Sequence, residues 1–175
     1  MYYSSTYQSP LGCILLAADD SAAVGLWFKD SGQHAPCLYA EAKPQETAVI
    51  ARVKHWLDVY FAGAKPDFTP PLRLLGTPFR QRVWNLLRSI PYGTTITYRD
   101  IAALLAAEDG RAMSAQAVGG AVGKNPLSII IPCHRVVGSD NSLVGYAGGL
   151  NRKLALLKLE GACREDFFVP KGASL

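Results

Sequence analysis

The chain lacks several patterns that would each assign it to a particular class of protein. It has four cysteines among 175 residues, and none forms a Cys-x-x-Cys pair, which argues against a zinc knuckle or a dithiol redox motif. No apolar run approaches the roughly 20 residues that a membrane-spanning helix needs. The first residues show no basic stretch followed by an apolar one, so we expect no secretory signal and a cytoplasmic protein with reduced thiols.

Metal-like spacing occurs once, at His34-x-x-Cys37. A structural zinc site needs four ligands, which commonly come as two such pairs, and no matching second pair is present. The sequence therefore favours an ordinary loop at this place, and we expect no bound metal.

Positive charge is concentrated in the second half of the chain, whose overall net charge is +4. Residues 1–75 carry six basic and seven acidic side chains, whereas residues 76–161 carry ten basic and five acidic ones. Residues 162–175 are balanced. A basic second segment favours a polyanion as partner, although by itself such a segment is often only a solvated face.

The first segment, residues 1–75, predicts a small antiparallel sheet followed by one helix. Short apolar runs alternate with turn signals, and a helical apolar stripe then leads into a proline-rich stretch that cannot continue a helix. The predicted strands cover residues 2–8, 13–18 and 22–28, the helix about 45–62, and the extended linker 65–71.

The second segment, residues 76–161, predicts short helices with clear start signals, including a basic pattern similar to a helix-turn-helix. Thr77 and Ser114 are good N-caps, and Thr97 with Asp100 forms a variant of the capping box. The predicted helices begin at Pro78, Thr97, Ser114 and Asn151, and they end near Ile90, Ala107, Val122 and Glu160.

The helix after Ser114 is unusually rich in small residues over 115–121. Two glycines in this stretch lower helix stability, but small side chains let the backbone approach a neighbour closely. That neighbour is either another helix, which composition alone favours, or a nucleic-acid groove.

The segment that carries chemistry is Pro132-Cys133-His134-Arg135, which follows the β-branched run 129–131. We predict that this run is a buried strand and that the cysteine lies at its end. A thiol becomes a good nucleophile only as a thiolate, and a nearby imidazole can remove its proton. Because adjacent side chains on a strand point in opposite directions, a bridging water is a natural relay between Cys133 and His134.

An activated thiol also needs a group that orients its base, and Glu160 is the best carboxylate in the second segment because its surroundings are apolar. The sequence alone favours a solvated glutamate at the end of a helix. Asn125 before Pro126 predicts an Asx turn. Tyr98 starts its helix, and Tyr146 lies inside a glycine-rich loop without phosphate-loop spacing.

Taken together, these motifs resemble the O6-alkylguanine-DNA alkyltransferases. The similarity covers residues 1 to about 161, and the Pro-Cys-His-Arg motif in this context is highly specific. The residues that carry the similarity lie in the stretches 132–136, 125–126, 145–149 and 156–161. The stretches 77–84, 90–93 and 9–12 support it.

The resemblance implies an α+β fold. An RNase H-like N-terminal domain with a small antiparallel sheet and a helix would cover 1–75. A mainly helical C-terminal DNA-binding alkyltransferase domain would cover 76–161, and the tail 162–175 is left to dock or to move.

The resemblance further implies a monomeric repair protein that needs no cofactor, with several copies able to bind along DNA. It would transfer the alkyl group of O6-alkylguanine in duplex DNA to its own cysteine, once and irreversibly. Activity on O4-alkylthymine is left open.

The resemblance also implies roles for individual residues. Cys133 would accept the alkyl group, His134 would act as base through a water with Glu160 orienting it, Asn125 would brace the turn, and Tyr98 would help to protonate the leaving guanine. The base has to leave the stack before a thiol can reach it, so the helix from Ser114 would enter the minor groove. The implied DNA contacts are Ser114, Ala115, Gln116, Ala117, Gly119 and Arg135, and the implied base pocket is Tyr146, Val136, Ala147 and Gly148.

The chain departs from the family pattern at Gln116, where the family usually has an arginine that fills the gap left by the flipped base. We expect Gln116 to intercalate still, with weaker binding to duplex DNA or slower flipping. Some relatives have an N-terminal zinc site, and because the necessary ligands are not evident here we expect no zinc.

Two other classes of function remain as alternatives. One is a non-catalytic protein that binds alkylated DNA; such proteins replace the nucleophilic cysteine, whereas Cys133 is present. The other is a cysteine hydrolase, which would not need the basic helix-turn-helix.

Overall fold

The computed structural model describes residues 1–31 and 37–172, and these form two compact units. The first contains Met1–Leu75 with Pro126–Ile130, and the second contains Gly76–Asn125 with Ile131–Leu175. Of the loop predicted at His34-x-x-Cys37, residues 34–36 lie outside the described residues and remain a prediction, whereas Cys37 is the first residue of a short helix. Within the described part of the chain, no helix has both the length and the apolar character to cross a membrane.

The first unit contains a four-stranded sheet in the order β3-β2-β1-β4. Its first three strands are antiparallel neighbours, which confirms the predicted small antiparallel sheet, and the short β4 adds a parallel partner to β1 that the sequence did not suggest. The strands are β1 (Tyr3–Ser9), β2 (Gly12–Ala18), β3 (Ala23–Phe28) and β4 (Lys43–Pro44).

Two helices accompany this sheet, α1 (Cys37–Ala40) and α2 (Ala48–Phe61). Thr47 caps α2 because its side-chain oxygen accepts a hydrogen bond from the backbone N–H of Ile50. The stripe predicted from the sequence is the buried face of α2, since every one of its apolar positions except Phe61 is buried. The buried residues are Val49, Ile50, Val53, Trp56, Leu57 and Tyr60.

The second unit is mainly helical, and of the four helices in its described residues three begin at the predicted caps. Thr77 and Ser114 each accept a hydrogen bond from a backbone N–H three residues on, and Thr97 forms the complete capping box with Asp100. The fourth start was wrong, because the last helix begins after Gly149, with no side-chain cap. The helices are α3 (Pro78–Arg88), α4 (Tyr98–Asp109), α5 (Ala115–Val122) and α6 (Leu150–Leu159).

A short parallel ladder brings two parts of this unit together. Strand β5 (Ile96–Thr97) pairs with β6 (Val136–Val137), with Ile96 opposite Val136. Strand β5 runs directly into α4, whose first residue is Tyr98, and β6 directly follows the segment that carries Cys133. The ladder therefore holds Tyr98 and the cysteine segment in the same part of the unit.

The buried strand predicted over Ile129–Ile131 is wrong. These three residues are buried, but Ile129 and Ile130 lie in a turn and Ile131 in a bend; Ile129 adopts φ 71°, and the N–H of Ile130 donates to the carbonyl of Ser128 at 2.8 Å. A 3₁₀ turn, Cys133–Arg135, follows. β-Branched residues are enriched in strands mostly because they suit half-buried surfaces, so their burial can be satisfied without an extended backbone.

The described part of the C-terminal tail docks on the second unit. The backbone N–H of Leu143 donates to the carbonyl of Phe168 at 2.8 Å, and the Asn141 side chain donates to Asp166 at 2.9 Å. Phe167 and Val169 pack on an apolar cluster that includes Leu143. The sequence left open whether the tail docks or moves, and its described stretch docks.

Candidate active site

The Cys133 thiol lies on the 3₁₀ turn and is 4% exposed. The side-chain amide of Asn125 donates to its sulfur at 3.1 Å and to the carbonyl of Ile131 at 2.8 Å. Burial raises the pKa of Cys133, while the Asn125 hydrogen bond and the positive charge of Lys153 act in the opposite direction. The thiol is therefore held in place, and it depends on a base for its ionisation.

His134 is fully buried beside Glu160, with Nε2 2.7 Å from Oε1 of the carboxylate. Burial lowers the pKa of His134, and this outweighs the opposing effect of the Glu160 charge. The imidazole is therefore neutral near pH 7. Because Nε2 faces an ionised carboxylate, Nε2 holds the proton, and the other ring nitrogen has the electronic character of a base.

Glu160 also binds Arg135 through two charge-assisted hydrogen bonds, from Nε at 2.8 Å and from Nη2 at 3.0 Å. A weaker bond comes from the backbone N–H of Gly93 at 3.4 Å. The hydrogen bonds from His134 and Arg135 lower the pKa of Glu160 to about 2, against the opposite effect of its burial. The solvated glutamate that the sequence alone favoured is therefore wrong, since this side chain is 0% exposed.

Arg135 does not fit the predicted DNA contact. Its remaining donor, Nη1, bonds to the carbonyl of Ile90 at 2.7 Å, and its guanidinium lies 5.6 Å from the centre of the Tyr92 ring. With 8% of its surface exposed and each guanidinium nitrogen bonded to Glu160 or Ile90, Arg135 neutralises Glu160 instead of facing solvent. A basic residue in a basic segment suggested a DNA contact, and only the fold reveals the buried carboxylate.

Lys153 is a site residue that the sequence reasoning missed. It is 0% exposed, and its ammonium donates to the backbone carbonyls of Val136 at 2.5 Å and Val144 at 2.6 Å. A signal was available, because Lys153 lies three residues after Leu150 and three before Leu156, on the buried stripe of its helix.

A cavity of about 610 Å³ opens between the small-residue helix and the loop before Tyr146. Tyr98 lies on its wall and donates from its hydroxyl to the carbonyl of Val144 at 3.2 Å. Burial raises the pKa of Tyr98, so the phenol remains protonated. The cavity is lined by Tyr98, Arg99, Ala115, Gln116, Gly119, Gly138, Ser139, Asp140, Val144 and Gly145.

Gly145 is required where the cavity wall meets Tyr98. Its φ of 64° is in the left-handed region, and a Cβ at this position would lie 2.9 Å from the Tyr98 hydroxyl. A larger residue would therefore push the tyrosine away from the cavity.

The first turn of α5 is exposed at Ala115, Gln116 and Ala117, as is its cap Ser114, while Gly119 is half-buried. Three of the predicted DNA contacts, Ala115, Gln116 and Gly119, line the cavity. Most exposed side chains on this surface are short, so a large partner can approach the helix closely.

The four residues predicted to form the base pocket are buried or half-buried. None of the four is among the residues that line the cavity. Tyr146 is buried edge-to-face against His134, with 6.4 Å between the ring centres. Val136 is wholly buried in β6 and gives its carbonyl to Lys153, so a pocket role for its side chain does not fit. Ala147 is half-buried and Gly148 is buried.

Within residues 1–31 and 37–172, no group of three or more His, Cys, Asp or Glu side chains is arranged to hold a metal ion.

Similarity to known proteins covers nearly the whole chain. Residues 78–162 match the family model described as 6-O-methylguanine DNA methyltransferase, DNA binding domain, and residues 1–74 match the ribonuclease-like domain of the same family. The methylated-DNA–protein-cysteine methyltransferase of Mycobacterium leprae (strain TN) is 42% identical over 163 residues, which is 91% of this chain and 93% of that protein. The chain belongs to the 6-O-methylguanine DNA methyltransferase family.

Solved structures support the same assignment. The Mycobacterium tuberculosis O6-methylguanine methyltransferase is 41% identical, with a TM-score of 0.80 over 93% of this chain and 94% of that one. A structure of Mycobacterium tuberculosis OGT in complex with DNA is 40% identical, with a TM-score of 0.78 over 94% and 96% of the two chains. The resemblance to this methyltransferase family and the predicted α+β class are therefore confirmed.

Replacing the shared carboxylate tests this network in the methyltransferase. We expect Glu160→Gln to lower the free energy of unfolding near pH 7 by about 3 kcal/mol, because a neutral amide leaves a buried guanidinium without its countercharge. The stabilisation by ionised Glu160 is complete above its ordinary pKa of 4.5 and is lost as the pH falls toward 2, so the difference between the proteins shrinks near about pH 3.

Urea denaturation followed by circular dichroism at both pH values measures this effect. Glu165→Gln is the matched control, since Glu165 is exposed. A loss near pH 7 no larger than that of the control, or a loss that does not change with pH, would contradict the assigned network.

Proposed function

We propose that the chain repairs DNA by moving the alkyl group of O6-alkylguanine onto the sulfur of Cys133. Alkyl transfer in DNA repair follows from membership of the methyltransferase family. The observation that supports Cys133 as acceptor is its position beside Asn125 and on the same turn as His134, which pairs with the buried Glu160, inside the DNA-binding domain.

The transfer needs an ionised thiol and a leaving guanine. Neutral His134 takes the proton of Cys133 through a bridging water, and Glu160 stabilises the imidazolium that forms. The thiolate attacks the alkyl carbon, so that the S–C bond forms as the C–O6 bond breaks and its electron pair remains on the guanine. The protonated Tyr98 hydroxyl gives its proton to the guanine anion, and the proton that His134 took from the thiol returns to Tyr98, so the guanine leaves neutral. The thioether has no route back to the thiol, so each molecule acts once.

Binding of DNA precedes this step. Guanine O6 is stacked inside the duplex, and extruding the nucleotide costs a few kcal/mol, less for a damaged pair. The exposed first turn of α5 enters the groove, and Gln116 occupies the gap in the stack. The cavity beside Tyr98 receives the extruded nucleotide. The DNA complex of the Mycobacterium tuberculosis relative supports a DNA partner.

We also propose a setting for the reaction. The protein acts as a monomer in the cytoplasm, with room for several copies along one duplex. A thiol acceptor needs a reducing compartment, and Cys13, Cys133 and Cys163 are free thiols among the described residues.

The acceptor is tested by mass. After incubation with a duplex that contains one O6-methylguanine, we expect the Cys133 peptide to gain one methyl group, with at most one methyl per protein. Cys133→Ser should gain none because its hydroxyl is a far weaker nucleophile, whereas Cys163→Ser should react like the wild type. Intact-mass and peptide mass spectrometry measure both. An unmodified Cys133 in a protein that binds the damaged duplex tightly would instead support a non-catalytic binding protein.

Gln116 is tested by restoring the charge that the family usually has at this position. We expect Gln116→Arg to speed methyl transfer on duplex DNA several-fold. The longer cationic side chain fills the gap that the extruded nucleotide leaves in the stack, and its charge attracts the DNA phosphates. Rapid-quench kinetics on duplex and single-stranded substrates measure this. The gain should be much smaller on the single strand, where no stacked pair has to open. An unchanged or slower rate on the duplex would contradict intercalation by residue 116.

A further inference from the structure

The structure contains a buried cation that the transfer mechanism above does not use. Lysine is almost never fully buried unless it is paired, because its ammonium loses its hydration. Lys153 is nonetheless 0% exposed on α6, among apolar neighbours such as Leu156 and Leu157. An arrangement with this cost calls for a specific role.

The contacts of Lys153 join the two sides of the site. Val136, one acceptor of its ammonium, directly follows the turn that carries Cys133. Val144, the other acceptor, also receives the Tyr98 hydroxyl and precedes Gly145 on the cavity wall. One ammonium therefore fixes the distance between the nucleophile's turn and the wall of the cavity.

The charges around Lys153 favour an anion at the thiol. Cys133 and Lys153 interact favourably when both are charged, and this raises the pKa of Lys153 against the larger effect of burial, which lowers it to about 8. The ammonium is thus still mostly charged near pH 7. His134, on the same turn as the thiol, is disfavoured as a cation by the Lys153 charge.

The remaining charged and titratable groups nearby are already engaged. Glu160 is bound by His134 and Arg135, and the Tyr98 hydroxyl is protonated and donates to the cavity wall. On α6 itself, Arg152 donates to the carbonyl of Gly148 at 3.0 Å, and Lys158 is exposed.

We propose that Lys153 is a positioning residue for the transfer, whose buried ammonium ties the Cys133 turn to the cavity wall and favours the ionised thiol. This role rests on the proposed transfer to Cys133. In this proposal two groups act on the thiol of Cys133. His134 removes its proton, and Lys153 stabilises the sulfur anion that remains.

The test measures ionisation of the thiol without DNA, so its result stands even if methyl transfer is not observed. The rate at which iodoacetamide modifies Cys133 is followed against pH by peptide mass spectrometry, in the wild type, K153M, K153Q and K153R. The exposed Lys158 on the same helix gives the matched control K158M. Methyl transfer and DNA affinity are measured on the same proteins.

In K153M and K153Q we expect the pH dependence of Cys133 modification to move to higher pH by about one unit. Modification near pH 7 should then be about tenfold slower. K153R should restore most of the profile because it keeps the charge, and K158M should match the wild type. Methyl transfer by the neutral variants should fall at least as much, with DNA affinity within about twofold of the wild type. If K153M does not fold, K153Q takes its place, since its amide can still donate to one carbonyl.

If Cys133 is modified with the same pH dependence in K153M and K153Q as in the wild type, the proposal is overturned. It is also overturned by a transfer rate that falls equally at every pH with no change in the profile, because this is the result of a purely structural lysine. Failure of K153R to recover the profile would also overturn it.

Discussion

The second unit depends on one buried carboxylate. Taking Glu160 out of water costs several kcal/mol, and this is offset only because His134 and Arg135 both bind it at hydrogen-bonding distance. The two partners are adjacent in sequence, and on a strand their side chains would point to opposite faces. A 3₁₀ turn lets both reach the same carboxylate, so the ion network and the conformation of the Cys133 segment require each other.

The same network sets the chemistry of the thiol. Arg135 balances the Glu160 charge, so His134 does not have to become a cation to satisfy it, and burial then keeps the imidazole neutral and so able to accept a proton. Burial also opposes ionisation of Cys133, and a thiol that stays protonated reacts little with electrophiles. Asn125 holds the sulfur meanwhile, and its second hydrogen bond secures the turn.

Features set by neighbouring residues were predictable from the sequence, whereas features set by distant partners were not. The caps Thr77, Thr97 and Ser114 depend on residues within one helical turn, and the motif around Cys133 was enough to identify the family. The run 129–131 has strand propensity, yet its burial is satisfied in a turn. No local signal distinguishes a solvated Glu160 from one that meets Arg135 across 25 residues of chain, so the carboxylate was undervalued and the arginine was assigned to DNA.

The central claim is that a neutral His134, oriented by an ionised Glu160, is the base for Cys133. The most direct measurement is the ¹⁵N chemical shift of the two His134 ring nitrogens, in protein labelled at histidine and assigned with a His134→Gln variant. The account predicts a neutral ring with its proton on Nε2, still neutral at pH 6.5, where an ordinary histidine is half protonated. A doubly protonated ring at that pH, or a neutral ring with its proton on Nδ1, would contradict it.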